Sequence, residues 1–189
     1  MTFYQAHSYE EAIKIGLQAV IIAESFQKKF KPASHEKLKC MFPVANVPIL
    51  HYAIEFLLMN KVTEIFIATC TMRGQIDSFV KSMGYKGVKI NIISLESCSN
   101  FGDALREINQ MQTIKEEFLL VRGDIITNAD IQSALKEHFK VKAEDKEKKL
   151  ILTKLFVKVP FSNPIRSPQQ EIILMLDSQS RDILKYESF

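Results

Sequence analysis

The sequence lacks the patterns that would tie the chain to a membrane or to secretion. No apolar stretch approaches the ~20 residues that a helix needs to span a bilayer. Residues 1–16 show no basic-then-apolar signal pattern. The three cysteines, Cys40, Cys70 and Cys98, form neither a CxxC pair nor an even-numbered disulfide framework. We therefore expect no membrane contact, free thiols and a cytoplasmic protein.

The sequence also lacks a strong charge of either sign. Its formal net charge is +3, which is too weak to indicate nucleic-acid binding by itself, and we expect no direct sequence-specific contact with nucleic acid. Basic residues cluster in one loop, with Phe26 and Phe30 interleaved: Lys28, Lys29, Lys31, Lys37 and Lys39. That loop is either a contact surface for phosphate or RNA or a solvated loop anchored by two aromatic side chains.

Hydrophobic patterning is what the sequence does contain. Hydrophobic residues make up 47% of the 189 positions, enough for the core of one domain over 1–189. Strand-like runs at 18–23, 64–69, 88–93 and 118–121 alternate with helical periodicity from Pro48, at 73–83, at 104–112 and after Asn128 or Asp130. This alternation predicts an α/β fold, a three-layer, doubly wound and mainly parallel sheet with right-handed crossovers.

The end of the sequence has a different pattern. The charged residues 142–149 are expected to form a solvated loop. A long strand is predicted over 150–159, then a Pro- and Ser-rich segment over 160–170, and then a hairpin of EIILMLD and RDILKYES that turns near 178–180. Because natural domains rarely leave a sheet edge bare, we expect a C-terminally truncated, incomplete domain from a longer protein that self-associates at high concentration.

The polar loop after the first strand is where a ligand site is expected, because open α/β sheets bind ligands beyond the carboxyl ends of their strands. The loop resembles the opening of the sugar-nucleotide pyrophosphorylase superfamily, A-x-G-x-G-T-R-x-x-P-x-T followed by P-K-x-L-L-P-V-x-x-x-P-I. The sequence fits without a gap and keeps these positions: Ala23, Pro32, Ser34, Lys39, Pro43, Val44, Pro48 and Tyr52. The resemblance implies a Rossmann-like nucleotidyltransferase fold.

Most of the phosphate-binding chemistry of that superfamily is missing from the loop. Ser25 and Gln27 replace two glycines whose bare backbone lets a triphosphate approach closely. Glu24 puts a carboxylate near the place of the phosphates and would repel them. Lys29 replaces an arginine and loses its planar fork. Lys39 matches the catalytic lysine of the family.

Two glycine-containing pairs complete the vestigial nucleotide pocket that the resemblance implies around Ala23. Gly123-Asp124 matches the family's metal-binding position, so Asp124 is either a Mg²⁺ ligand or the cap of a turn or of the next helix. Gly102-Asp103 replaces a Gly-Thr pair that reads base and sugar, and we expect Asp103 to be a helix N-cap instead. We expect no catalytic residue and no cofactor beyond a possible Mg²⁺.

The pattern of losses narrows the resemblance to one group. The segments QAVIIAESF, FPVANVPILHYAIEFL, NFGDALREI and LLVRGDIITN resemble the epsilon subunits of eukaryotic translation initiation factor 2B. Gamma subunits of that complex keep more of the glycine loop and fit less well. In the family, guanine-nucleotide exchange activity lies in a far C-terminal helical domain that has no counterpart in these residues.

The resemblance implies a scaffold for translation initiation. It would pair with the gamma subunit, assemble with the other initiation factor 2B subunits and help to dock initiation factor 2. Two alternatives remain open. One is an active sugar-nucleotide pyrophosphorylase that uses Lys39 and Asp124, and the other is a domain that binds a nucleotide or sugar-nucleotide without turnover.

Overall fold

The computed structural model describes residues 9–26, 30–96, 98–114, 117–146, 150–160, 163, 172–179 and 182–188. The chain divides into two compact units, residues 1–151 and 152–189. A single domain over 1–189 stays a prediction. The first unit contains α1 (Tyr9–Ile15), β1 (Leu17–Ile22), β2 (Pro43–Val44), β3 (Val47–Pro48), α2 (Ile49–Met59), β4 (Val62–Thr69), α3 (Arg73–Met83), β5 (Lys89–Ser94), α4 (Phe101–Gln110), β6 (Phe118–Arg122) and α5 (Gln132–Glu144).

The four long strands of the first unit form a parallel sheet in the order β5-β4-β1-β6. The chain moves outward from β1 to β4 and β5, and then returns to the other side of β1. The strand order therefore reverses between β1 and β6. Open α/β sheets bind ligands in the space beyond the carboxyl ends of two such strands, and we call this space the crevice. The predicted mainly parallel α/β sheet is confirmed.

Helices cover both faces of this sheet, which gives the predicted three layers. On one face, the apolar sides of α2, α3 and α5 pack against alternate strand residues such as Ile21 and Ile67. On the other face, Ala104 and Ile108 of α4 pack against the intervening residues, among them Val20. Because β1 is buried on both faces, its sequence is continuously apolar rather than alternating.

Local signals set most helix ends as expected. Helix α2 begins directly after Pro48, and α3 ends at Gly84, which has a left-handed φ of 59° and donates its N–H to the Val80 carbonyl. Helix α4 begins three residues before the predicted start. Its N-cap is Asn100, whose side chain accepts the N–H of Asp103 at 2.9 Å, so the prediction of Asp103 as N-cap is wrong.

Two other sequence predictions are also wrong. Helix α5 continues to Glu144, so the first residues of the charged stretch are helical. Residues 150–160 form no strand. Within the described part of the chain no strand pairs with this segment, and the side chains of Ile151 and Val157 are 92% and 87% exposed. An apolar run forms a strand only where a neighbour supplies ladder hydrogen bonds.

The second unit contains the predicted hairpin. Strands β7 (Ile172–Leu176) and β8 (Ile183–Ser188) are antiparallel, and Asp177 N–H donates to the Asp182 carbonyl at 2.9 Å. Most of the predicted segment 160–170 lies outside the described residues. Among the helices that the structure describes, none is long and apolar enough to cross a membrane.

Candidate functional site

The crevice between β1 and β6 is formed by two closely packed strand ends. Ala23 N–H donates to the Ala68 carbonyl at 2.9 Å, and Gly123 N–H donates to the Ile22 carbonyl at 2.8 Å. A Cβ atom at position 123 would lie 3.1 Å from Ala23 Cα and 3.2 Å from Cys40 Cβ. A side chain at position 123 would force its neighbours to shift by a few tenths of an ångström, so close packing at the base of the crevice favours glycine there.

Asp124, directly after this glycine, is held by two cations. Its Oδ2 atom lies 2.8 Å from Lys39 Nζ, and Arg122 donates from Nε to Oδ1 at 2.9 Å and from a terminal nitrogen to Oδ2 at 2.8 Å. The Asp124 side chain is only 7% exposed. Since the guanidinium grips both carboxylate oxygens and Lys39 takes a further site, the carboxylate is neutralised within the chain.

Lys39 reaches Asp124 from the turn that follows the polar loop. It is the first residue of a short 3-10 helix, Lys39–Met41. Its ammonium also lies 4.8 Å from the centre of the Phe30 ring, and Phe30 packs edge-on against Phe42 at 5.9 Å. Aromatic contact and ion pair together fix the position of the lysine.

The ionisation of the crevice follows from burial and these contacts. Burial works to raise the pKa of Asp124, but hydrogen bonds from Arg122 and Lys39 outweigh it and hold that pKa below its usual value. Burial, followed by the charges of Glu24 and Asp124, raises the pKa of the Cys40 thiol to about 12. Cys40 therefore stays neutral at physiological pH and is not activated as a nucleophile.

Glu24 turns away from β6 towards the end of β4. Its Oε1 atom accepts hydrogen bonds from Cys70 N–H at 2.9 Å, from Thr71 N–H at 2.8 Å and from the Thr71 hydroxyl at 2.9 Å. The hydroxyl of Thr69 lies 3.0 Å from the same oxygen. The carboxylate thus links the start of the polar loop to the neighbouring strand.

The structure brings together part of the residue set that the sequence singled out. Six of these residues lie at the carboxyl edge of β1 and β6 or in the turn that faces it: Ala23, Glu24, Ser25, Lys39, Gly123 and Asp124. Gly102 lies in the first turn of α4, where an added Cβ would approach the Asn100 side chain at 3.2 Å. Gln27 and Lys29 lie outside the described residues. A nucleotide-binding role for the set stays a prediction.

Sequence reasoning missed the groups that bind the two carboxylates. Arg122 directly precedes Gly123-Asp124. The sequence shows only a basic residue at the end of an apolar strand, which does not by itself indicate a partner for Asp124. The donors at Cys70 and Thr71 are mostly backbone groups, which no residue type reveals. Within the described residues, no three His, Cys, Asp or Glu side chains converge as a metal site. A metal at Asp124 would have to compete with Arg122 and Lys39 for its oxygens.

An open parallel sheet with its crevice at the strand-order reversal is the architecture of nucleotide-handling α/β domains. The family model described as nucleotidyl transferase matches residues 18–166, and the chain belongs to this family.

Two curated proteins narrow the similarity within that family. The chain is 30% identical over 175 residues to the epsilon subunit of translation initiation factor eIF2B from Dictyostelium discoideum, and 31% identical over 183 residues to that from Schizosaccharomyces pombe. The matches cover 91% and 94% of this chain but only 24% and 26% of those proteins, so the chain spans about a quarter of their length. The resemblance to initiation factor 2B epsilon subunits that the sequence motifs indicated is confirmed.

Solved structures support the fold. A crystal structure described as a glucose-1-phosphate thymidylyltransferase from Bacillus anthracis, in complex with sucrose, superposes with a TM-score of 0.66 at 18% identity. The match covers 91% of this chain and 64% of that one. At this identity the likeness establishes the nucleotidyltransferase-type fold alone.

Proposed function

We propose that the chain is a catalytically inactive nucleotidyltransferase-like domain of an initiation factor 2B epsilon subunit. It acts in the cytoplasm as an assembly and docking scaffold. Its partners are the other initiation factor 2B subunits, the gamma subunit above all, and initiation factor 2. The similarity to two epsilon subunits over more than nine-tenths of the chain supports this assignment. Guanine-nucleotide exchange would then belong to parts of the subunit outside these residues.

The observation that carries the inactive assignment is the state of Asp124. A Mg²⁺ ion in a nucleotide site needs a free carboxylate oxygen, several waters and the substrate phosphates in octahedral geometry. Both oxygens of Asp124 already accept hydrogen bonds from Arg122, and Lys39 pairs with Oδ2. A metal ion at Oδ1 would have to compete with Arg122, and one at Oδ2 with both Arg122 and Lys39, which disfavours metal binding at this largely buried carboxylate.

The test of inactivity is a pyrophosphate-exchange assay on the full-length epsilon subunit to which this proposal assigns the chain, called the parent protein. Each nucleoside triphosphate is supplied with sugar 1-phosphates and Mg²⁺, and the result expected is no exchange above that of a Lys39→Met variant. Exchange that the variant abolishes would overturn the proposal. Recovery of the gamma subunit with the tagged parent protein tests the scaffold role separately.

One observation favours a second candidate, an active or nucleotide-binding pyrophosphorylase. Lys39 and Asp124, which match the catalytic lysine and the metal-binding position of active relatives, lie in direct contact at 2.8 Å. A pair assembled in this way opens to a substrate only if phosphates displace Asp124 from Lys39. The test of this candidate is the melting temperature of the chain, measured at increasing concentrations of Mg²⁺ and of each nucleoside triphosphate. Stabilisation that needs both ligands would support it, and none at millimolar ligand would remove it.

A further inference from the structure

The end of β4 forms a cluster of hydrogen-bond donors around one point. Four groups lie within 3.0 Å of Glu24 Oε1: the N–H groups of Cys70 and Thr71 and the hydroxyls of Thr69 and Thr71. Thr69 is a buried polar residue, 1% exposed. Two successive backbone N–H groups that point at one oxygen make a concave anion-binding arrangement.

The protons of this cluster can be assigned. Cys70 and Thr71 each have one backbone proton to donate, and the Thr71 hydroxyl adds a third. The Thr69 hydroxyl lies 2.6 Å from the Thr71 carbonyl oxygen as well as 3.0 Å from Glu24 Oε1, so its single proton is shared between two acceptors. Three full donors and one shared donor converge on the carboxylate, and all four are neutral groups.

This donor set suits an oxyanion. Neutral N–H and O–H groups hold a negative oxygen in the same way as an oxyanion hole, by fixed dipoles that need no opposite charge. A carboxylate oxygen and an unprotonated phosphate oxygen are similar ligands for such a set, since both are negatively charged and strong hydrogen-bond acceptors.

We propose that the end of β4, formed by Thr69, Cys70 and Thr71, is an oxyanion-binding site whose resident ligand is the carboxylate of Glu24. The chemical class that the site takes is a phosphate or a similar tetrahedral oxyanion. In the intact chain Glu24 fills the site and excludes such ions. This inference does not depend on the proposed function, because it concerns a cluster beside the Lys39–Asp124 pair and holds whether or not the domain is active.

The test is binding of inorganic phosphate by the full chain, measured by equilibrium dialysis at constant ionic strength. Glu24→Ala empties the site, and the expected result is one saturable phosphate per chain with an affinity at least tenfold above that of the unmodified protein. Glu55→Ala removes the same charge from an exposed position on α2 and should bind no more than the unmodified protein. Equal binding by all three proteins would overturn the proposal.

A double variant locates the ion. Thr71→Val removes one hydroxyl donor from an exposed residue without changing its size. Added to Glu24→Ala, it should weaken phosphate binding at least fivefold. Undiminished affinity would place the ion elsewhere and overturn the proposal.

A second measurement covers the case in which Glu24→Ala does not fold. Glu24→Gln keeps the side-chain length and one acceptor oxygen but removes the charge. The amide proton resonances of Cys70 and Thr71 should then move upfield in a ¹H–¹⁵N spectrum, because a neutral acceptor polarises an N–H group less than a carboxylate. Unchanged resonances at both residues would overturn the assignment of Glu24 as the bound anion.

Discussion

The Nζ atom of Lys39 lies 2.8 Å from Oδ2 of Asp124, although the two residues are 85 positions apart in the chain. They meet because β1 and β6 are neighbours in the sheet, so that the turn after the polar loop faces Asp124, the second residue after β6. The contact joins the turn that follows the polar loop to the end of β6, the last strand of the parallel sheet.

Removing the lysine should destabilise the chain. Lys39→Met leaves Arg122 as the remaining cationic partner of a carboxylate that is 7% exposed, and we expect a loss of about 1–3 kcal/mol in the free energy of unfolding. Urea denaturation at neutral pH measures the change. Lys81→Met, which breaks an exposed pair with Asp77 on α3, is the control and should change stability by less than about 0.5 kcal/mol. Equal effects of the two substitutions would mean that the Lys39–Asp124 pair is not held as described.

The Asp124 carboxylate should make stability depend on acid pH. Its pKa is lower in the folded chain than in the unfolded chain, where a value near 3.9 is typical. The stabilisation is therefore fully present above about pH 5 and is lost as pH falls through the folded pKa. We expect the difference in unfolding free energy between the unmodified protein and Asp124→Asn to be constant from pH 7 to pH 5 and to shrink below about pH 4. A difference that grows on acidification would have the opposite sign to the one expected.

Replacing either of two glycines by alanine should change the stability of the chain, but in different directions. Gly123→Ala puts a Cβ atom 3.1 Å from the Ala23 backbone and 3.2 Å from the Ile22 carbonyl oxygen, and we expect a cost of about 1–3 kcal/mol. Gly74→Ala, in the first turn of α3, meets no atom within 4 Å and should be neutral or slightly stabilising. Thermal denaturation of the pair of variants measures this contrast, and comparable melting temperatures would show that the crevice floor is less closely packed.

The N-cap of α4 offers a local test. Asn100→Ala removes the side-chain acceptor for Asp103 N–H and should cost about 1 kcal/mol. Asn109→Ala, at an exposed position in the last turn of the same helix, is the matched control and should change stability by less than about 0.5 kcal/mol. A larger effect at Asn109 than at Asn100 would argue against the assigned helix start.

The sequence predicted the central sheet well because its signals are local and strong. Continuous apolar strands such as β1, helical periodicity after Pro48 and the stop at Gly84 need no tertiary information. The segment 150–159 has an equally apolar pattern, but a strand depends on a partner that periodicity cannot supply. Helix α1, which packs on α5 through Ala12 and Phe139, has too few apolar positions to stand out in the sequence.

The candidate site was less predictable. Aligned motifs assigned Lys39 and Asp124 to one nucleotide pocket. The structure places the two side chains in contact, and the pocket itself stays a prediction. The orientation of Glu24 could not be inferred, because its partners are backbone N–H groups and hydroxyls at the end of another strand. Likewise, the two hydrogen bonds from Arg122 to Asp124 depend on the rotamer of the arginine side chain, which the sequence does not specify.

The scaffold role is tested most directly by comparing the tagged full-length parent protein with a version that lacks residues 1–189. Each is co-expressed with the other initiation factor 2B subunits, purified under identical conditions and analysed for the amount of gamma subunit recovered per tagged chain. We predict that the intact protein recovers the gamma subunit and that the shortened version loses most of it. Equal recovery of the gamma subunit by a folded, shortened protein would contradict the proposed role of this domain in assembly.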